Sequence, residues 1–122
     1  MTNPMTRSTA QPQPQHQALG KLQAHVLLTG NSLYLDTGKE LNTVLFYDAA
    51  GTVQVRHASG ARDTGQWTLL DDGSYRIDWV TGPKNSCSRL HWQAGNIQIR
   101  DLADVPRGRV VKIVPGAVPE LA

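Results

Sequence analysis

The sequence predicts an all-β chain: one antiparallel up-and-down meander of about eight short strands closing into a small barrel, with a short N-terminal helix. Three observations predict it. Turn signals recur near Gly38, Gly51, Gly60, Gly73, Gly82, Gly95 and Gly108, at intervals of 9 to 13 residues. The runs between them alternate apolar and polar side chains, the period of a strand with one buried face. Helical spacing is confined to residues 18–28, where Leu19, Leu22 and Val26 recur at i, i+3 and i+7.

The elements follow in order. Residues 1–17 are rich in Pro, Gln, Ser and Thr and nearly free of large apolar groups. Such a segment buries too little surface to offset its ordering entropy, so a disordered tail is expected. Residues 18–116 form the barrel domain, and 117–122 are expected to be a flexible C-terminus. After the helix, Gly30-Asn31 breaks the helical pattern. Strands are expected at 32–36, 41–48, 52–58, 65–70, 74–81, 86–93, 96–101 and 109–114.

Turn length sets register, and register decides which side chains share a face. Asp71-Asp72-Gly73 is a three-residue loop ending in glycine. It fits a type I turn followed by a left-handed residue. This sets Leu69 opposite Tyr75, Trp67 opposite Ile77 and Gly65 opposite Trp79. Ala49-Ala50-Gly51 reads the same way, pairing Tyr47 with Val53, Leu45 with Val55 and Thr43 with His57. A four-residue loop Gly82-Pro83-Lys84-Asn85 pairs Ile77 with Leu90, Tyr75 with Trp92, Asp78 with Arg89 and Arg76 with His91. Trp92 opposite Ile97 and Leu90 opposite Ile99 continue the apolar face. Cys87 and His91 then fall on the outer face with the arginines. Val44 and Phe46 lie opposite Leu45 and Tyr47, so the second strand is apolar on both sides. Its outer face is expected to be covered by the N-terminal helix, or otherwise by a subunit interface.

Composition bounds the function. The chain has 122 residues, enough for one domain, and a net charge of +2 with both signs mixed along it. So small an excess gives no reason to expect a polyanion partner. The aromatics and arginines fall on opposite sheet faces, which argues against a stacking platform for single-stranded nucleic acid. One cysteine, Cys87, allows no internal disulfide. No segment is apolar enough to span a bilayer and no secretory signal is visible. A cytoplasmic protein is expected, or a periplasmic one where an export signal has been removed.

Gly30-Asn31-Ser32, the Asp48-x-x-Gly51-Thr52 turn, Gly65-x-Trp67, Asp72-Gly73-x-Tyr75-x-x-x-Trp79 and Cys87 form an ordered series. Over about residues 28–101 it resembles small bacterial lipocalin-like domains of uncharacterised function, many of them exported to the periplasm. The resemblance implies a calycin-like barrel and no defined catalysis.

The candidate ligand-binding residues are Trp67, Tyr75, Trp79, Trp92, His57 and Tyr47. Tyr and Trp offer a large apolar area with one polar handle each. An eight-stranded barrel is either filled by its own side chains or holds one small ligand. His57, paired with Thr43 at the end of an apolar face, is placed to line a barrel mouth as a hydrogen-bond donor or a general base. No histidine stands in a metal-ligand spacing, and His16 lies in the tail. Cys87 and His91, four residues apart on one strand face, are roughly 13 Å apart and too distant to share a metal. Neither a nucleophile elbow nor a phosphate-binding glycine loop is present. No catalytic residue, metal or cofactor is therefore assigned. The leading expectation is a non-enzymatic module taking a small hydrophobic or aromatic ligand in its interior. The alternatives are a monomeric or homodimeric protein-interaction domain, and a small barrel enzyme using His57 as base.

Overall fold

The computed structural model of the chain describes residues 17–39, 43–82 and 85–122. Residues 1–16, which carry most of the expected tail and His16, lie outside the described residues. The chain runs through β1 (Gln17–Ala18), α1 (Lys21–Leu28), β2 (Asn31–Asp36), β3 (Thr43–Tyr47), β4 (Thr52–Arg56), β5 (Arg62–Leu69), β6 (Ser74–Trp79), β7 (Ser86–Gln93), β8 (Asn96–Asp101) and β9 (Pro106–Pro115). A short 3-10 helix, Pro119–Leu121, ends it. Strands β2 to β9 pair with their sequence neighbours, and β9 pairs back onto β2. The result is the expected closed antiparallel up-and-down barrel of eight strands. Closure leaves none of these strands as a free edge. The two-residue β1 adds to β7 beside His91 and Trp92.

Both glycine-ended hairpins have the expected register. Leu69 faces Tyr75, Trp67 faces Ile77 and Gly65 faces Trp79. Tyr47 faces Val53 and Leu45 faces Val55. Gly73 shows why glycine is required there. Its φ is +94°, and a Cβ would stand 2.5 Å from the Leu19 carbonyl oxygen. The chain entering α1 therefore lies directly against the β5–β6 turn. The β7–β8 register is also as expected, with Leu90 opposite Ile99 and Trp92 opposite Ile97. Its two-residue turn carries positive φ at both Ala94 and Gly95, the type I′ geometry that suits the twist of paired strands.

The register expected for β6 and β7 is not the one found. Tyr75 faces Ser88 and Ile77 faces Ser86, a slide of four residues along β7. The side chain of Asp63 is the cause. Its carboxylate accepts hydrogen bonds from Thr81 and Gly82 and holds the connection against β5. Asp78 pairs with Gln66 of β5, and its expected partner Arg89 lies opposite Ser74 instead. An even slide preserves the faces, so Leu90 still points inward. Arg89 now faces Ser74 and donates to the carbonyls of Leu19 and Asp72, and Arg76 pairs with Asp78 on its own strand. Gly108 marks no turn. It lies within β9 opposite Ile99, and the preceding turn is held by Asp101, whose carboxylate accepts from Ala103 N and Val105 N.

The apolar stripe expected on α1 is rotated. Ala24 and Leu28 are the buried residues, whereas Leu22 and Val26 face outward. An eight-residue helix with leucine or valine on several sides has no unique apolar face. The small Ala24 side chain lets the helix lie close on the end of the barrel. Asn31 terminates the helix by donating its side-chain amide to the carbonyls of Val26 and Leu27. Nor does α1 cover the outer face of β3. Val44 and Phe46 pack instead under Val118 and Leu121 of the C-terminal segment. Tyr34 donates to Glu120 at 3.0 Å, and Arg62 donates to the Ala122 carbonyl at 2.6 Å, fixing that segment from both sides.

Candidate functional site

The two ends of the barrel differ. At the helix end lie the start of β2, the end of β3, the end of β5 and the start of β6. There Ala24 and Leu28 join Leu33, Tyr47, Trp67, Tyr75 and Leu90 in one cluster. Tyr47 stands edge-on to Trp67 at 5.3 Å and to Tyr75 at 5.8 Å between ring centroids. Trp67 satisfies its indole N–H with the Asp48 carbonyl at 2.8 Å. Burial pushes the phenol pKa of both tyrosines up, so they stay neutral and act as core side chains with one shared polar contact. Three of the six sequence candidates, Tyr47, Trp67 and Tyr75, are thus brought together in the packed helix end of the barrel.

At the opposite end the described residues leave a cleft. It measures about 300 Å³ and is lined by Leu35, Thr37, Thr43, Leu45, Val55, His57, Asp63, Trp79 and Gly82. The strand alternation explains its chemistry. Leu35, Leu45 and Val55 point inward at the ends of β2, β3 and β4 and form an apolar floor. Trp79, the last residue of β6, is half-buried and forms a wall. His57 is exposed on the rim and Thr43 is buried in the wall beneath it, the two residues that the loop-length reading placed across from each other. His57 is anchored through its backbone, which donates to Ala61 O and accepts from Gly60 N.

Asp63 completes the rim. Its carboxylate accepts from Thr81 Oγ1 at 2.7 Å, Gly82 N at 2.8 Å, Thr64 N at 2.8 Å and Thr81 N at 3.1 Å. These bonds, the Thr81 hydroxyl first, favour the charged form and pull the pKa down to about 2. The mouth therefore carries a fixed negative charge at neutral pH. Sequence reasoning placed Asp63 in a loop. Its distant partners, Thr81 and Gly82, are 18 and 19 residues away, and no local pattern reveals such a contact.

Trp92 lies at the helix end, half exposed, apart from the other candidates. It borders a surface groove of about 460 Å³ between the outward flank of α1 and the β7–β8 hairpin. Cys87 and His91 are on the outer face of β7, where His91 is buried and Cys87 half-buried. Among the described residues no three His, Cys, Asp or Glu side chains converge as a metal site. Among them, too, no helix is long and apolar enough to cross a membrane. No protein-family model matches the chain, and the search of curated proteins and the search of solved structures likewise give no match.

Proposed function

We propose that this protein is a lipocalin-like binding module that holds a small apolar or aromatic ligand in the mouth of its barrel, without catalysing a reaction. The observation that carries the reading is the cleft itself: an apolar floor, one tryptophan wall and a few polar groups on the rim. That composition is typical of sites for small molecules. Its volume of about 300 Å³ is at the low end of such sites, which favours one aromatic ring system or a short aliphatic body. The body would pack on Trp79, Leu35, Leu45 and Val55, and its polar group would meet His57, Thr43 or the Asp63 carboxylate. The aromatic cluster of Tyr47, Trp67 and Tyr75 packs the other end of the same core.

The test is a ligand titration with aromatic metabolites, short and long fatty acids and haem, followed by amide chemical shifts. Saturable shifts at Trp79, Val55 and His57, abolished in Trp79→Ala, are the expected result. Absence of saturable binding by any class, or binding unaffected by Trp79→Ala, would refute the reading.

A further inference from the structure

Asp63 is the one carboxylate among the described residues that line the cleft, and no lysine or arginine is among them. It lies opposite Val55 on the inner face of β5. Trp79 lies opposite Gly65, two residues further along that face. Carboxylate and indole are therefore neighbours. Arg62, on the alternate face, is turned outward and donates to the Ala122 carbonyl. The partners of the Asp63 carboxylate are one hydroxyl and three backbone amides, all neutral. They fix the charge in place without cancelling it. Oδ1 accepts from Thr64 N, Thr81 N and Thr81 Oγ1. Oδ2 takes Gly82 N at 2.8 Å and only a longer share of Thr81 N at 3.3 Å. A carboxylate oxygen has two lone pairs, so Oδ2 keeps one for a further donor.

Gly82 shows where that donor would stand. A Cβ there would lie 3.1 Å from Asp63 Oδ2 and 3.7 Å from Trp79 Cβ. The φ of Gly82 is outside the left-handed region, so the backbone does not demand glycine at this position. Its missing side chain leaves room that the carboxylate and the indole both border. We infer that the mouth selects a cation: a small aromatic or aliphatic amine whose ammonium group meets Asp63 Oδ2 beside the Trp79 ring. The inference rests on the mouth being the binding site and adds the charge of the ligand. An ammonium donates a short, charge-assisted hydrogen bond to a carboxylate. Tryptophan is also the best of the aromatic rings at attracting a cation held within about 6 Å of its centroid. A fatty acid or other carboxylate would instead bring a second negative charge against Asp63. A metal ion lacks ligands, because among the described residues no three donor side chains converge.

Three ligands of similar shape separate the charge from the body: phenethylamine, phenethyl alcohol and hydrocinnamate. Each is titrated into the full chain at neutral pH and followed by amide chemical shifts. Phenethylamine is expected to saturate the shifts at Trp79 and Val55 with a Kd at least about tenfold below that of the alcohol, and hydrocinnamate to bind weakest. Asp63→Asn should remove the advantage of the amine. Asp71→Asn, on the fully exposed turn at the helix end, should keep it. Gly82→Ala retains the charge but fills the room beside it, and should weaken the amine more than the alcohol. It also provides a second variant should Asp63→Asn lose its native circular dichroism. Alcohol or hydrocinnamate binding as tightly as the amine, or an advantage that survives Asp63→Asn, would overturn the inference while Trp79-dependent binding still marks the mouth as the site. No saturable binding of any of the three, nor of fatty acids or haem, would refute the mouth itself and the inference with it.

Discussion

The helix end and the mouth of this barrel are built from the same strands, yet they use them oppositely. At the helix end, α1 lies across the opening and contributes Ala24 and Leu28 to a core already holding three aromatic rings. At the mouth the same alternation ends in Leu35, Leu45 and Val55, with no helix of the described residues over them, and a carboxylate organises the rim. The apolar side chains of both ends belong to one buried core, but α1 lies over it at one end and hydrogen-bonded polar groups border it at the other. Stability should therefore depend on the first end and binding on the second.

The sharpest contrast is between two tryptophans. Trp67→Ala removes a buried indole and should cost about 3–5 kcal/mol, read from urea unfolding. Trp79→Ala, at the half-buried wall of the mouth, should cost only about 1 kcal/mol and abolish binding. Equal losses would break the comparison.

Two glycines give the next contrast. Gly73→Ala must accommodate both a φ of +94° and the Leu19 carbonyl 2.5 Å away, so a loss of about 2–3 kcal/mol is expected. Amide exchange at Ala24 and Leu28 should accelerate with it, because the helix is displaced. Gly38→Ala, near the mouth, has φ +83° but nothing within 4 Å of the added carbon. It should cost about 1 kcal/mol and leave the helix amides protected.

Acid provides a smaller lever. The folded pKa of Asp63, about 2, lies below its ordinary 3.8. The stability that its ionised form contributes is present above pH 3.8 and is lost as pH falls toward 2. Wild type should exceed Asp63→Asn in urea midpoint at pH 6, with the gap narrowing through that window. A gap constant with pH would show that the carboxylate charge is not what holds the rim. The smallest effect belongs to His57→Ala. This exposed side chain should change stability by less than about 0.5 kcal/mol, yet weaken binding of a ligand with a polar head.

The legible parts of the fold were those set by neighbours in sequence. Glycine-ended turns fixed the registers of β3–β4, β5–β6 and β7–β8, and with them the inward face of Tyr47, Trp67 and Tyr75. What escaped depended on contacts between distant residues. Asp63 reaches 18 residues along the chain to Thr81 and shifts β6 against β7. Val118 and Leu121 return across the barrel to cover Val44, which no hairpin rule anticipates. On α1, three apolar residues at helical spacing matched the pattern of a buried stripe, but the fit of a small alanine against the barrel decided which face turned inward. Of the mouth, His57, Thr43 and Trp79 could be read from strand alternation. Leu35 required the barrel to close, and Asp63 the contact with Thr81 and Gly82.

The path of the C-terminal segment bears on how the molecule would be handled. From Gly116, tied to Gly30 at the helix end, it runs along the outside of β3 to Ala122, which Arg62 holds beside the mouth. Gln17 is paired beside Trp92 at the other end. A dye or surface tether placed at Ala122 would therefore stand near the cleft and impede access to it. One placed at Gln17 would stand at the end away from the cleft.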